Sequence, residues 1–210
     1  GAISDTPVNS TNTSAVIIYN ITPLVGGCAG ASVNFVVTVR PVPTASALPQ
    51  SICSGQATGV SITNPNSVSG TTYTWTAAGT NVTGAASGAG NFISQVLYSA
   101  DGLTNGSVTY TITPSANGCP GPVFDVVVTV RPTPVMTNSA PGLSQQICSA
   151  EVLNFIPTAT IVGTTFSWTS SITGPVVSGT VTASGSGPIT DAPQNNGNVS
   201  GTVTYTITPT

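Results

Sequence analysis

One stretch of sequence occurs twice in full and once more in part, and it constrains the fold more than any other feature. Its copies are VIIYNITPLVGGCAGASVNFVVTVRPVP at residues 16–43, VTYTITPSANGCPGPVFDVVVTVRPTP at residues 108–134 and VTYTITPT at residues 203–210. Within them, Tyr19, Cys28 and Arg40 recur 91 positions later as Tyr110, Cys119 and Arg131. This period is the length of a small β-domain, too long for a solenoid turn or a propeller blade, so tandem domains are predicted.

Other landmarks keep the same period and set the domain boundaries. ICSG at Cys53 returns as ICSA at Cys148 after 95 positions, and GTTYTWT around Trp75 returns as GTTFSWT around Trp168 after 93. The predicted domains are the second half of a first repeat, a complete repeat, and a third repeat without its last strand, at residues 1–43, 44–134 and 135–210. We expect these residues to be a slice of a longer chain.

The repeated stretch has the pattern of an antiparallel hairpin. Val108, Tyr110 and Ile112 alternate with threonines, which puts apolar side chains on one face of a strand and hydroxyls on the other. After the turn formers of the NGCPG segment, a second apolar row follows at Phe124, Val126, Val128 and Val130. The copy at residues 16–43 keeps the same alternation.

Seven short strands punctuated by Gly, Pro and Asn are predicted in the complete repeat. They lie at residues 44–48, 59–63, 71–77, 81–86, 92–97, 107–114 and 123–130. Seven such strands in about 90 residues are typical of an immunoglobulin-like β-sandwich, so the predicted fold class is all-β. The large aromatic side chains that recur in phase are predicted to form the core: Trp75, Trp168, Tyr110 and Tyr205.

Charged side chains are few, and their sign excludes some partners. The chain has two Arg, five Asp or Glu, and no Lys or His, for a net charge of −3. Without a basic cluster, nucleic acid and anionic membrane surfaces are unfavourable partners. The apolar runs are also far shorter than the roughly 20 residues of a membrane-spanning helix, so no membrane insertion is predicted.

The four cysteines indicate disulfides rather than a metal site, because neither histidine nor a CxxC pair accompanies them. One pairing joins Cys53 to Cys119 and leaves Cys28 and Cys148 for partners outside these 210 residues. The other joins Cys28 to Cys53 and Cys119 to Cys148 across the linkers. Cys53 and Cys119 are expected at the same end of the sandwich, and a disulfide needs Cα atoms within about 7 Å. The first pairing is therefore predicted.

Each complete copy ends in an arginine followed by closely spaced prolines, Arg40-Pro-Val-Pro and Arg131-Pro-Thr-Pro. Such prolines favour a stiff, extended linker over a flexible hinge. The two arginines are expected to anchor the linkers through ion pairs. Rod-like stacking of the domains follows.

No combination of residues predicts catalysis. General acid–base chemistry would fall to scattered carboxylates at Asp5, Asp101, Asp125, Glu151 and Asp191. Asp5 and Asp191 occupy matching positions where the complete repeat has Gln95, so a carboxylate is not required there. We interpret the acids as solvated turn and strand-end groups, with calcium ligation as the minor alternative. The chain is predicted to be no enzyme and to need no cofactor or metal.

The combined motifs ICSG, GTTYTWT, VTYTITP, NGCPGP and VVVTVRPTP resemble the PKD-like repeats of giant Bacteroidetes cell-surface proteins, including gliding-motility adhesins exported by the type IX secretion system. The resemblance covers the whole chain in phase. It implies immunoglobulin-like sandwiches in many tandem copies, an extracellular location at the cell surface, and a passive role as a stalk or adhesive filament. It brings no catalytic residue to this sequence.

The leading hypothesis is a structural and adhesive module whose tandem domains form a stalk or filament used in adhesion or gliding motility. Its expected partners are neighbouring repeats, lateral copies in a filament, the type IX secretion machinery and surface glycans. The rows of threonine suggest an alternative, a carbohydrate- or ice-binding module, which flat threonine ladders on an exposed sheet would favour. A third hypothesis is a spacer region of a secreted hydrolase.

Overall fold

The computed structural model describes residues 2–139, 142–176 and 181–210, and every regular element within these ranges is a β-strand. The predicted all-β fold class is therefore confirmed. The chain forms two compact units, Gly1–Arg131 and Pro132–Thr210. The first contains the early hairpin and the complete repeat, and the second contains the third repeat.

The first unit begins with the hairpin of the early copy. Its strands are β1 (Ala15–Ile21), β2 (Leu24–Val25), β3 (Cys28–Ala29) and β4 (Val33–Val39). β1 and β4 pair antiparallel from Ala15 opposite Val39 to Ile21 opposite Val33, and β2 pairs with β3 at the tip. The open end of the hairpin leads through Arg40 into the complete repeat.

The complete repeat is a sandwich of short and long strands. They are β5 (Gln50–Cys53), β6 (Gln56–Ala57), β7 (Val60–Ser61), β8 (Thr72–Thr80), β9 (Val82–Thr83), β10 (Gly88–Ala89), β11 (Phe92–Ile93), β12 (Val96–Ser99), β13 (Gly106–Ala116), β14 (Cys119–Pro120) and β15 (Phe124–Arg131). One layer has the strand order β10-β8-β13-β15-β5, with β14 paired to β13. The other layer consists of β6-β12-β9 and β11-β7.

Alternation along the long strands builds the core between these layers. β13 buries every second side chain, including Val108, Tyr110 and Ile112, none of which is exposed to solvent. Ile93 on β11 and Leu97 on β12 face them from the other layer and are equally buried. The whole cluster of buried apolar residues lies between Ala45 and Val130, so the repeat has a hydrophobic core of its own.

Each tryptophan of the array is covered by a glycine on the neighbouring strand. Gly88 of β10 lies opposite Trp75 of β8, and a Cβ on this glycine would lie 2.6 Å from the indole ring. In the third repeat Gly185 lies opposite Trp168, where a Cβ would lie 2.5 Å from the ring. Both indoles are buried. The glycines allow the backbone of the edge strand to pack directly on the aromatic face.

The third repeat is built around one central pair of strands. Its elements are β16 (Phe166–Thr173), β17 (Ser184–Ser186) and β18 (Thr202–Pro209), in the order β17-β16-β18. β16 and β18 pair antiparallel along their full length. Tyr205 of β18 is half-buried and meets Trp168 edge-on, with ring centroids 5.5 Å apart.

Several strand predictions differ from the structure, and those at residues 59–63 and 81–86 shorten to β7 and β9. Residues 44–48 form only a single bridge, from Ser46 to Thr63, and the strand follows later as β5. The strand predicted at residues 92–97 is split into β11 and β12, because Thr58 donates to the carbonyl of Ile93 and accepts from the amide of Gln95. A side-chain hydroxyl thus replaces the regular ladder at this point.

Candidate functional site

The predicted bridge between Cys53 and Cys119 is wrong. Cys53 ends β5 beside Arg131, because β5 runs parallel to β15, and Ser54 donates its amide to the Arg131 carbonyl at 2.7 Å. Cys119 lies opposite Ala116, at the other end of β13. At about 3.3 Å per residue, the length of β13 separates the two cysteines by about 30 Å, far beyond the reach of a disulfide. All four cysteines have free thiols in this structure.

The competing pair, Cys28 with Cys53, is also excluded. Cys28 lies at the tip of the first hairpin, and the length of β4 separates it from Arg40 at the open end. Arg40 contacts the turn at Asn117, and the length of β15 separates that turn from Cys53. The two thiols therefore lie at opposite ends of the first unit.

The recurring tyrosine has the same polar contact in all three repeats. Its hydroxyl donates to the residue 14 or 15 positions upstream, in the pairs Tyr19–Asp5 (2.7 Å), Tyr110–Gln95 (2.9 Å) and Tyr205–Asp191 (2.6 Å). The matching positions of Asp5, Gln95 and Asp191, visible in the sequence, thus share the role of a hydrogen-bond acceptor. Tyr110 lies in the core, where this contact satisfies its buried hydroxyl.

The acceptor also holds a neighbouring loop. Gln95 accepts from the amide of Ala86 and donates to its carbonyl, whereas Asp191 accepts from the amide and hydroxyl of Thr182. Burial raises the pKa of Asp191, but hydrogen bonds from Thr182 and Tyr205 outweigh it, and the pKa lies below its usual value. Burial, together with the Asp191 carboxylate, raises the pKa of Tyr205.

Asp191→Asn is expected to destabilise the third repeat at neutral pH by about 1 kcal/mol, because one amide oxygen cannot accept all the hydrogen bonds of a carboxylate. With its pKa lowered by folding, Asp191 contributes stability above about pH 4 that is lost as the pH falls through its folded pKa. The difference between variant and wild type should therefore shrink in acid. Urea unfolding midpoints of the variant and of the wild type, measured at neutral and at acidic pH, give this difference.

The complete repeat provides the control for this prediction, since its acceptor, Gln95, does not titrate. Gln95→Glu should introduce an acid dependence that the wild-type repeat lacks at this contact. A difference between Asp191→Asn and wild type that stays the same from neutral to acidic pH would show that the carboxylate charge does not matter here.

The joint between the early hairpin and the complete repeat is a direct contact. Arg40 donates from Nη1 to the carbonyl of Asn117, the turn residue that precedes Gly118 and Cys119. Asn117 has a positive φ of 52°. The arginine thus anchors the linker through a backbone carbonyl, whereas the sequence predicted an ion pair.

The linker itself is packed against the complete repeat. Pro41 and Pro43 are buried, and Asn66 donates to the carbonyl of Val42 at 2.8 Å and accepts from the amide of Thr44 at 3.1 Å. Stiffness thus comes from docking as well as from the prolines. Sequence reasoning missed Asn66, because no local pattern links it to residues more than 20 positions away.

The outer face of the large sheet carries a ladder of hydroxyl groups. In the complete repeat, Thr74 lies opposite Thr113 and Thr76 opposite Thr111. The third repeat has four successive hydroxyl pairs: Ser167–Thr208, Thr169–Thr206, Ser171–Thr204 and Thr173–Thr202. All eight of these side chains are exposed. Strand geometry spaces such hydroxyls by about 4.8 Å across strands and about 6.8 Å along them.

The carboxylates do not converge. Asp101 accepts from the amides of Leu103 and Thr104 and from the Thr104 hydroxyl, and these hydrogen bonds hold its pKa well below the usual value. It therefore organises its own turn. In the ranges the structure describes, no three Asp, Glu, Cys or His side chains come together as metal ligands would.

Comparison with known proteins gives a family for the chain. A family model described as PKD-like domain matches residues 1–43, 50–134 and 145–210. The comparison with curated proteins gave no match. Among solved structures, the chain is similar to one titled "Crystal structure of Dpr11 IG1 bound to DIP-gamma IG+IG2", with 9% identity, a TM-score of 0.32, and coverage of 79% of this chain and 96% of that one. The described residues include no apolar helix of the length needed to span a membrane.

Proposed function

The chain belongs to the PKD-like domain family, and from this we propose that it is the structural and adhesive repeat region of a large secreted cell-surface protein. Successive sandwiches form a stalk or filament that carries adhesion. The family match falls on three consecutive segments of the chain, in phase with the sequence repeat. No catalytic step is part of this function.

A stalk needs joints that hold successive domains in a fixed relation, and the Arg40 joint meets this requirement. The arginine binds the turn of the following repeat, and Asn66 binds the linker on both sides of Pro43. A freely flexible linker would leave Pro41 and Pro43 in solvent, yet both are buried. This joint is the observation that best supports a stalk.

The finer assignment places the protein outside the cell, at the cell surface, in adhesion or gliding motility. The resemblance of its motifs to those of giant adhesins supports it, as does a surface that has hydroxyls and very few charges. Type IX secretion machinery is the proposed exporter, and surface glycans and lateral copies of the chain are the proposed partners.

Small-angle scattering tests the stalk. Chains with two and four successive copies of residues 44–134 should have a maximum dimension that rises in proportion to copy number, by at least about 30 Å per repeat, the length of β13. A freely jointed array would instead grow with about the square root of copy number. Scaling of that second kind would refute the stalk.

Deleting the repeats from the gene tests adhesion. Cells that produce the shortened protein should bind less to glass and to glycan-coated surfaces while keeping their secreted hydrolase activity. The reverse result, together with a catalytic domain elsewhere in the reading frame, would favour a spacer region of a secreted hydrolase.

A specific observation favours a second function, a carbohydrate- or ice-binding face. The hydroxyl ladder is regular and present in both repeats, fully exposed in the third repeat and partly exposed in the complete repeat, where Thr111 and Thr113 are half-buried. A Thr74→Val/Thr76→Val variant keeps side-chain shape and removes two hydroxyls. If the ladder binds a ligand, this variant should lose binding on a glycan array or inhibition of ice growth. Wild-type protein that is inactive in both assays would exclude this function.

A further inference from the structure

The two kinds of cysteine lie at opposite ends of a repeat. Cys53, of the ICS motif, lies beside Arg131 at the end where the chain leaves the repeat. Cys119, of the hairpin turn, lies at the end where the chain enters, next to Asn117 and Gly118. The two cysteines of one repeat therefore face different neighbours.

The contact between Arg40 and Asn117 shows which residues meet where the exit end of one repeat joins the entry end of the next. Arg40 is the equivalent of Arg131 in the preceding repeat, and it binds the carbonyl of Asn117, two residues before Cys119. A Cβ built on Gly118 would lie only 3.7 Å from its Nη1 atom. The turn that holds the hairpin cysteine thus rests on the arginine of the repeat before it.

Combining the two contacts places an ICS cysteine and a hairpin cysteine at the same joint. The ICS cysteine lies on the strand next to the arginine, about 4.8 Å away, and the arginine reaches the turn of the following repeat. We propose that the ICS cysteine of each repeat forms a disulfide with the hairpin cysteine of the next, so that covalent bonds cross every joint of the stalk. This inference depends on the tandem arrangement proposed above and is independent of adhesion.

The thiols are placed for such a reaction. Cys28, Cys53 and Cys148 are exposed and Cys119 is half-buried, so none is committed to a core. Bond formation removes two protons and two electrons from a pair of thiols. An external disulfide such as oxidised glutathione accepts them and leaves as two glutathione thiols. Under this proposal, each of the four cysteines would form its bridge across a different joint. The test therefore needs a chain that contains both cysteines of one joint.

The test uses the full chain with residues 44–134 repeated once more after Pro134, which is justified because the core of this repeat lies wholly within it. Serine replaces every cysteine except Cys53 of the first copy and Cys119 of the second. With oxidised glutathione, this junction pair should lose both thiols and 2 Da while remaining monomeric. A matched chain that keeps Cys53 and Cys119 of the same copy should react at least about 10-fold more slowly, since its thiols are about 30 Å apart.

Nitroxide labels on the same two pairs provide a measurement that does not depend on oxidation. The junction pair should give a short interspin distance, and the same-copy pair a distance of about 30 Å plus the linkers of the labels. The proposal is overturned if the junction thiols persist, if the same-copy pair oxidises as fast, or if the two label distances are equal. An extended array in the scattering experiment without a bridged joint would refute the disulfide alone and leave the stalk intact.

Discussion

Trp75→Ala is expected to destabilise the complete repeat by about 3–5 kcal/mol, the largest effect of any single substitution considered. Trp75 is only 7% exposed, lies opposite Ile112 in the centre of the large sheet, and donates its indole N–H to the Ala86 carbonyl at 3.3 Å. Alanine leaves a cavity. The strand that packs on the indole, β10, has Gly88 at this position and therefore no side chain to fill it. A loss of this size is a large share of a small domain's total stability.

Hydrogen exchange measured by mass spectrometry gives the local readout, because peptides from β13 and β15 report on this core alone. Thr74→Ala is the matched control: Thr74 is the adjacent residue of β8 and is exposed, so its effect should stay within about 0.5 kcal/mol. Equal protection of β13 in the two variants would show that Trp75 is not central to the core.

Gly121→Ala is expected to break the joint. A Cβ at Gly121 would lie 1.9 Å from the carbonyl oxygen of Pro43 and 2.9 Å from Cγ of Pro114. Because the first of these atoms belongs to the backbone, the linker must move away, and we expect the repeat to lose about 1–3 kcal/mol. The contact between Arg40 and the Asn117 turn should be lost with it.

Distances between nitroxides at Thr38 of β4 and Thr74 of β8, in a background without cysteines, measure the joint directly. Wild type should give one narrow distribution and Gly121→Ala a broad one. Gly59→Ala adds the same methyl group where the nearest atoms are 3.7 Å away, an ordinary contact, so it should keep the narrow distribution. A narrow distribution in Gly121→Ala would mean that the joint tolerates the methyl group.

The alternation of apolar and polar residues predicted the long strands well, because successive side chains of a strand point to opposite faces of the sheet. β13 and β15 fall where Val108, Tyr110 and the valine row placed them. The short strands of the second layer were less predictable. The break between β11 and β12 depends on hydrogen bonds of the Thr58 hydroxyl, whose partners Ile93 and Gln95 lie more than 30 residues away.

The cysteine prediction failed for a related reason. Placing Cys53 requires the partner of its strand, and β5 pairs in parallel with β15, almost 80 residues further along the chain. Local sequence indicates that a strand is present but not its neighbour or its direction. The joint was predictable in part: the prolines indicated stiffness, whereas the contact of Arg40 with Asn117 depends on a turn 77 residues away.

The parallel pairing of β5 with β15 determines how the complete repeat responds to force. Both strands run from the entry end to the exit end, and four residue pairs hold them together, from Gln50–Val128 to Cys53–Arg131. Tension along the chain pulls β5 towards the entry and β15 towards the exit. The bonds between them are then loaded together in shear, whereas peeling would break them one at a time, and the terminal strands act as a mechanical clamp.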